Sequence, residues 1–203
     1  MKISGKHFRK QHGRVRGFSL IEMVIVVAVA LSLAAVALPS FLNSISSYRL
    51  SNAAASLASL IDLNRFVAVQ SNNLITLRQT TQSGNAFFYI DKNNNSVMDA
   101  SEQRLLLPSD MLIMQPGSGV PGPSATGFQY PTATVFVSAT STLTFDARGS
   151  VNSCAGAASV CMIILGDPSR PQSGYRAITL NPMGQIKTWT WSAQTGGGSW
   201  VAY

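Results

Sequence analysis

Five oxygen-bearing side chains in one twelve-residue segment have the spacing of a calcium-binding loop. They fall at positions 1, 3, 5, 9 and 12 of residues 91–102 and are Asp91, Asn93, Asn95, Asp99 and Glu102, the positions from which an EF-hand loop coordinates Ca²⁺. Position 6, which needs glycine for a sharp turn, is Ser96, and the flanking segments have the pattern of strands. Because Asn-rich segments are also ordinary β-connections, we predict a plain loop, no cofactor and no tight Ca²⁺ site, with Ca²⁺ as the alternative.

Four basic side chains in the C-terminal half could contact phosphate groups. They are Arg148, Arg170, Arg176 and Lys187, and clustered cations of this kind bind a nucleic-acid backbone. Asp146 and Asp167 lie close to them in sequence and reduce the local positive charge. DNA is therefore a weakly supported partner.

A basic N-terminal segment and a long apolar run form the element that anchors the chain. The first 17 residues contain six Lys and Arg and no acid, and residues 18–38 are nearly all Val, Ala, Leu and Ile. As a helix, the apolar run would span about 31 Å, close to the hydrocarbon thickness of a bilayer. The run can cross a membrane once, and the preceding positive charges keep the N-terminus on the cytoplasmic side.

The order of these segments differs from that of a secretory signal peptide, in which a small-residue cleavage site follows the apolar run. Here Gly17 precedes the run, in the sequence Gly17-Phe-Ser-Leu-Ile-Glu22. This junction resembles the class III signal of type IV pilins and type II secretion pseudopilins. The resemblance implies that a prepilin peptidase cuts between Gly17 and Phe18 and methylates the new amino terminus of Phe18.

The same resemblance implies where the protein lies and what it contacts. It implies a single-pass inner-membrane protein with a periplasmic head, which joins a pilus or pseudopilus. Its partners would be other major and minor pilins or pseudopilins and the inner-membrane assembly platform.

Glu22 is the one acidic residue in the apolar run. A carboxylate in a spanning helix costs about 2.5 to 3.5 kcal/mol near the bilayer centre and less near an end. The resemblance implies that Glu22 meets the amino terminus of Phe18 on a neighbouring subunit and sets the axial register of a filament. Extension of the side chain to the headgroups is the alternative.

Removal of residues 1–17 changes what the composition indicates. The formal charge of +7 arises from 15 basic and 8 acidic residues, and six basic residues leave with the leader, so the mature chain has a net charge of +1. The high overall pI is therefore weak evidence for a nucleic-acid partner. Both histidines, His7 and His12, also lie in the leader. The mature chain thus lacks the commonest general base, and we predict that the protein is not an enzyme.

Beyond the apolar run, the sequence predicts a second, amphipathic part of the helix over residues 40–72. Pro39 ends the anchor of residues 18–39 and is expected to kink or break the helix, as the pilin pattern also implies. One face carries an apolar stripe at helical spacing, formed by Leu50, Ala53, Ala54, Leu57, Leu60 and Ile61. Such a stripe indicates a helix that packs on a globular head.

Residues 73–192 have the pattern of one antiparallel β-domain. Short β-type runs separated by Gly, Pro, Asn and Ser occur at 74–79, 86–90, 103–107, 111–115, 134–138, 143–147, 160–165, 175–180 and 186–191. The turn 181–184, Asn-Pro-Met-Gly, predicts a hairpin between the last two. Trp189 and Trp191 share a face with Lys187 and are expected to pack against the helix, and residues 193–203 are expected to form a flexible tail. The fold class is therefore α+β, a long N-terminal helix on an antiparallel β-sheet, the pilin fold.

Cys154 and Cys161 are the only cysteines. A head outside the cytoplasm lies where disulfides persist, so the two are predicted to form a bridge that closes a short loop. A metal-binding or redox thiol pair would need closer spacing or a histidine partner.

Three segments resemble the GspH/FimT family of minor pilins and pseudopilins. They are residues 63–70, Leu-Asn-Arg-Phe-Val-Ala-Val-Gln, residues 143–149, Leu-Thr-Phe-Asp-Ala-Arg-Gly, and residues 177–186, Ala-Ile-Thr-Leu-Asn-Pro-Met-Gly-Gln-Ile. Phe66 and Gln70 depart from the pattern of that family. The resemblance implies a minor structural subunit of a type IV pilus, with a type II secretion pseudopilin and a DNA-binding competence pilin as alternatives.

Overall fold

The computed structural model describes residues 17–117, 119–136, 141–156, 159–171, 174–192 and 198–203. The predicted leader, except for Gly17, and the tail residues 193–197 lie outside this range. The chain divides into two compact units, residues 1–41 and 42–203. The helix α1 spans Leu20–Ser71 and contributes residues to both units.

In the second unit, the apolar stripe of α1 forms the centre of the core. Leu50, Ala54, Leu57 and Ile61 are fully buried, and Ala53 and Leu60 are nearly so, which confirms the helix face predicted from the 3.6-residue period. Asn64 lies on the same face and is fully buried, yet neither its amide nitrogen nor its amide oxygen has a hydrogen-bond partner among the described residues. A buried amide without partners costs roughly 1 to 3 kcal/mol.

Eleven strands follow the helix in the described part of the chain. They are β1 (Ile75–Gln82), β2 (Asn85–Asp91), β3 (Arg104–Leu106), β4 (Leu112–Ile113), β5 (Thr134–Val135), β6 (Leu143–Phe145), β7 (Val151–Cys154), β8 (Cys161–Gly166), β9 (Tyr175–Leu180), β10 (Ile186–Ser192) and β11 (Ser199–Ala202). The α+β class is confirmed. The strands form two sheets where the sequence predicted a single one.

The first sheet has the strand order β3-β2-β1-β6-β7, and all of its pairs are antiparallel. The second sheet has the order β11-β10-β9-β8-β4, again antiparallel, with β5 added to β8 as the parallel exception. The predicted hairpin is confirmed, since Gly184 N donates to Asn181 O at 2.9 Å between β9 and β10. We call the two sheets sheet A and sheet B.

Sheet B is covered on both faces, and every residue of β8 and β9 is buried. Ile163, Leu165 and Ile178 join the helix and sheet A in the main core. Met162 and Ala177 face the other way, into a second cluster that also contains Phe128, Tyr130 and Trp200. Continuous apolar strands of this kind are expected where both faces of a sheet are dry.

The indole rings belong to this second cluster, so their predicted packing against the helix is wrong. Trp189 is buried beside Phe128, with ring centroids 5.0 Å apart, and donates from Nε1 to Thr179 Oγ1 at 2.8 Å. Trp191 packs edge-on against Trp200. The two rings lie on the side of sheet B opposite α1 because alternate residues of β10 point to opposite faces.

The prediction of a flexible tail is wrong for the part of the tail that the structure describes. Ser199–Ala202 form β11, which pairs with β10 from Trp189↔Ala202 to Ser192↔Ser199. Trp200 N donates to Thr126 O at 2.9 Å, so β11 is bonded on both edges. Burial of the Trp200 ring in the second cluster provides the reason for this ordering.

The disulfide between Cys154 and Cys161 is present and both residues are fully buried. Cys154 ends β7 in sheet A and Cys161 begins β8 in sheet B. The bridge therefore ties the two sheets together, beyond closing the short loop that the sequence predicted. Loop closure of this size contributes about 2 to 3 kcal/mol in the chain-entropy model.

Candidate functional site

The first part of α1 exposes apolar side chains on all sides. Residues such as Leu20, Ile25 and Leu33 are more than half exposed, and this stretch is long and apolar enough to cross a membrane. Glu22 lies in its first turn and is exposed. A carboxylate in the first turn also interacts favourably with the positive end of the helix dipole.

Pro39 lies inside α1, which continues without interruption to Ser71. A helix break at this residue, one of the two outcomes predicted, therefore does not occur. Proline removes only one backbone donor, and the hydrogen bonds of the neighbouring turns can hold the helix together. A kink at Pro39 stays a prediction.

The 91–102 loop is closed by its own polar groups. Asp91 is fully buried and pairs with Arg78, with Oδ2 at 2.7 Å from Nε. Its two oxygens also accept hydrogen bonds from the backbone N–H groups of Asn95 and Ser96. The Glu102 carboxylate accepts hydrogen bonds from the N–H groups of Lys92 and Asp99. These carboxylates thus have partners from the protein itself.

The other candidate Ca²⁺ ligands of the loop also form hydrogen bonds with one another. The side-chain nitrogens of Asn93 and Asn95 both donate to Asp99 Oδ2, each at 2.9 Å. Among the described residues, no group of three or more His, Cys, Asp or Glu is placed to hold a metal. The hydrogen bonds within the loop account for its conformation, and the absence of a tight Ca²⁺ site stays a prediction.

We expect Ca²⁺ to leave the melting temperature of the full-length protein unchanged. The Arg78 guanidinium already neutralises Asp91, and Ser96 adopts a positive φ of 63° at the position where calcium loops use glycine. Thermal melts in Ca²⁺ and in chelator would measure this for the native chain and for Asp91→Ala. A Ca²⁺-dependent rise in melting temperature that disappears in Asp91→Ala would contradict the prediction.

The four basic residues predicted as a DNA-binding patch lie in different places. Arg170 Nη1 donates to Leu42 O, near the start of the helix in the second unit, at 3.3 Å. Arg148 lies in the β6–β7 turn beside Gly149, whose carbonyl accepts a hydrogen bond from Arg65. Leu42 and Arg65 are 23 residues apart on one helix, about 35 Å at 1.5 Å per residue. The patch is therefore not formed by these residues together.

Arg176 is excluded from any such surface by burial. It is 6% exposed on the helix-facing side of sheet B, where its guanidinium donates to Ser47 Oγ and Ser51 Oγ of α1 and to Tyr175 O. Burial lowers the pKa of Arg176, an effect that interaction with Tyr203 partly offsets. This arginine joins the helix to the sheet. Lys187 lies on the opposite face, with Nζ 4.6 Å from the Trp189 ring centroid.

A second buried charge, Asp167, also contacts the helix. Its Oδ2 accepts a hydrogen bond from Ser46 Oγ at 3.1 Å, and its Oδ1 accepts hydrogen bonds from the backbone N–H and the hydroxyl of Ser169. Burial raises the pKa of Asp167, but these hydrogen bonds and the charge of Arg170 outweigh it and lower the pKa below the ordinary 3.8.

This lowered pKa predicts a specific loss of stability in acid. A carboxyl whose folded pKa is below its unfolded value stabilises the fold above the unfolded pKa, and that contribution is lost as pH falls through the folded pKa. Denaturant melts on either side of pH 3.8 should show a smaller acid-induced loss for Asp167→Asn than for the native chain. Asp62→Asn, at an exposed helix position, is the control. Equal acid sensitivity of the native chain and Asp167→Asn would contradict the prediction.

Two hairpin turns meet at Arg65, a residue that the sequence did not single out as functional. Arg65 Nε donates to Gly149 O at 3.0 Å in the β6–β7 turn. The β9–β10 turn lies beside it, since Val151 N donates to Pro182 O at 2.9 Å. We call the contact of Arg65 with these two turns the turn junction.

Both glycines of the turn junction are required by geometry. Gly149 and Gly184 have φ of 78° and 76°, and a Cβ on Gly184 would lie 2.4 Å from Gly149 O and 2.9 Å from Arg65 Nε. The junction is built from the three segments that resemble the GspH/FimT family: residues 63–70, 143–149 and 177–186. The sequence shows a basic residue near the end of the helix and a glycine in each of two turns. Because these residues are far apart in the chain, no local pattern predicts that they contact one another.

Residues 12–38 match the family described as Prokaryotic N-terminal methylation motif. The match covers the junction of leader and apolar run and the exposed first part of α1. Neither the curated proteins nor the solved structures provide a match to this chain.

The motif indicates a precursor of the type IV pilin-like or pseudopilin class. It implies processing by prepilin peptidase and assembly with other pilins. Together with the apolar helix, it also indicates membrane anchoring. The long helix packed on antiparallel sheets has the α+β architecture expected of this class.

Proposed function

We propose that this protein is a minor pilin, a non-catalytic structural subunit that takes part in the assembly of a type IV pilus. Before assembly it is held in the inner membrane by residues 18–39, with the second unit in the periplasm. Prepilin peptidase removes residues 1–17 and methylates Phe18. The observation that carries the proposal is the methylation motif at residues 12–38 on a helix whose apolar residues are exposed.

Glu22 has the central role in this proposal. In the filament, its carboxylate pairs with the methylated amino terminus of Phe18 on a neighbouring subunit. An apolar surrounding strengthens such a pair and makes an unpaired carboxylate costly. A subunit without this charge would insert in the membrane but would lose its axial register during assembly.

The turn junction supports a GspH/FimT-type minor subunit over the bulk filament protein. The three segments that resemble this family come together at Arg65, Gly149 and Gly184, as expected if they form one structural unit of the family. The same unit would occur in a GspH-type pseudopilin, so a subunit of the type II secretion pseudopilus is the second candidate.

DNA capture is the weaker candidate. Of the four cations proposed for it, Arg176 is buried against α1, and Arg148 and Arg170 lie near opposite ends of the helical segment that begins at Leu42. Backbone binding depends on several phosphates neutralised together, so this arrangement does not favour it.

The test is complementation of a deletion strain with the native chain, Glu22→Gln or Asp62→Asn. Glu22→Gln removes the charge at nearly constant volume, and Asp62→Asn makes the same change at an exposed position of the same helix. Sheared surface pili, secreted enzymes and DNA uptake are measured in each strain. We expect pili with the native chain and with Asp62→Asn, and few or none with Glu22→Gln.

Each other pattern would contradict the proposal. Loss of secretion with intact pili would indicate that the protein is a subunit of the type II secretion pseudopilus. Loss of DNA uptake alone would favour the competence pilin. Pili at native levels with Glu22→Gln would show that assembly does not require the proposed pairing of Glu22 with Phe18.

A further inference from the structure

A polar cleft lies on the side of sheet B opposite α1, at the β9–β10 hairpin. Its volume is about 360 Å³, within the range of small-molecule pockets. We call it the hairpin cleft, and its lining residues are Tyr130, Thr179, Asn181, Gln185, Ile186 and Lys187. Neither the pilin motif nor the turn junction uses these side chains.

Two side chains of the hairpin cleft, Tyr130 and Thr179, are held by packing and hydrogen bonds. Tyr130 packs edge-on against Phe128, which in turn packs on the buried Trp189. Thr179 is fixed on the cleft floor because its hydroxyl accepts from Trp189 Nε1 and donates to Lys187 O. A site whose walls are already ordered loses less entropy on binding a ligand.

The polar groups left over in the hairpin cleft include two hydrogen-bond donors, beside the Tyr130 hydroxyl, which can donate or accept. Asn181 and Gln185 bond each other, Nδ2 to Oε1 at 2.9 Å, which leaves the Gln185 amide nitrogen without a partner among the described residues. Lys187 Nζ lies over the Trp189 ring at 4.6 Å from its centroid and has one weak hydrogen bond, to Gln129 Oε1 at 3.5 Å. It has no carboxylate within ion-pair distance in the described chain, so its N–H groups can still donate to a ligand. The cleft thus presents an ammonium and an amide N–H₂ beside a tyrosine ring.

We propose that the hairpin cleft binds an acidic sugar, with the sugar carboxylate on Lys187, a hydroxyl on Gln185 and the ring against Tyr130. One cation matches one carboxylate, and a charged hydrogen bond of this kind is stronger than a neutral one. A tyrosine wall beside amide donors suits a ring with an apolar face and hydroxyl edges. The inference does not rest on the pilin proposal.

A nucleic acid fits these observations less well. Phosphates along a strand need a row of cations, and the hairpin cleft offers Lys187 alone. Arg176, the basic residue on the neighbouring strand, faces the helix.

The test measures binding of galacturonate to the full-length protein in detergent by titration calorimetry. Galactose is the neutral ligand control, and inorganic phosphate and a short single-stranded oligonucleotide are the competing anions. The variants are Lys187→Gln, Tyr130→Ala and, as a matched control, Lys92→Gln in the 91–102 loop. Thermal melts verify that each variant is folded.

We expect saturable galacturonate binding with a Kd on the order of millimolar, as a ligand with few contacts gives. The native chain should bind galactose about tenfold more weakly than galacturonate because the charged hydrogen bond is missing. For the same reason, Lys187→Gln should bind galacturonate about tenfold more weakly than the native chain does. Tyr130→Ala should also weaken binding, and Lys92→Gln should leave it unchanged.

Three results with galacturonate or phosphate would overturn the proposal. These are no saturable binding of galacturonate, equal binding by Lys187→Gln, and Lys187-dependent binding of phosphate as tight as that of galacturonate. Lys187-dependent binding of the oligonucleotide without binding of galacturonate would assign the cleft to nucleic acid and would also overturn it.

Discussion

Replacement of Gly184 by alanine is expected to destabilise the second unit by about 2 to 5 kcal/mol, a large part of the stability of a typical domain. Two separate costs add at this residue. Its φ of 76° is a conformation in which a Cβ costs roughly 1 to 2 kcal/mol. The new Cβ would also lie 2.4 Å from Gly149 O. No rotamer change can relieve this overlap because the backbone fixes the position of a Cβ and Gly149 O is itself a backbone atom.

The second cost arises from the turn junction. To remove the overlap, the two turns must separate, and this movement stretches the bond from Val151 N to Pro182 O and the bond from Arg65 Nε to Gly149 O. Overpacking with backbone displacement costs about 1 to 3 kcal/mol. The loss should therefore exceed that of an ordinary glycine-to-alanine change in a turn.

Gly84 provides the matched control for this experiment. It lies in the β1–β2 turn with a φ of 78°, and a Cβ there would meet no atom of the described residues within 4 Å. Gly84→Ala should cost only the backbone term, about 1 to 2 kcal/mol. Urea unfolding of both full-length variants measures the difference. Equal losses for the two variants would show that the contact of the two turns contributes nothing.

Local patterns were sufficient to predict much of this fold. The helix stripe from Leu50 to Ile61 was predicted because one face of a 3.6-residue period was apolar, and each of those residues is buried. The hairpin at 181–184 was predicted because its turn residues are adjacent in sequence. Both features depend on interactions among near neighbours.

Partition into two sheets could not be predicted because it depends on contacts between distant segments. Neither run by itself indicates its partner, yet β1 pairs with β6 in sheet A and β8 pairs with β9 in sheet B. β7 was missed because Val151–Cys154 is short and half polar. β11 was missed because its order depends on the burial of Trp200.

The register of β9 and β10 explains why the predicted cationic patch does not form. Arg176 pairs with Thr190, and Lys187 pairs with Thr179. These two pairs are separated by three positions on β10, an odd number, so their side chains point to opposite faces of sheet B. The hairpin turn at 181–184 sets this register, so the opposite placement followed from the sequence once the turn was accepted.

Replacement of Gly17 by leucine is expected to stop maturation completely. The motif at residues 12–38 implies processing by prepilin peptidase, and the proposed cut follows Gly17. Among the residues that the structure describes, a Cβ at Gly17 would meet nothing within 4 Å. We therefore expect a leucine there to leave the fold undisturbed, so that any loss of processing reports recognition by the peptidase.

Mass spectrometry of the membrane fraction measures the outcome directly. The native chain should begin at Phe18 and carry the added mass of one methyl group, and Gly17→Leu should retain residues 1–17 and the unmethylated form. Gly13→Leu is the matched control, since it makes the same change four residues upstream in the leader. Because an uncleaved leader leaves Phe18 N in an uncharged peptide bond, the proposed pair with Glu22 cannot form, and the Gly17→Leu chain should also be absent from filaments. Cleavage of Gly17→Leu at the native position would contradict the assignment of Gly17 as the residue that the peptidase requires.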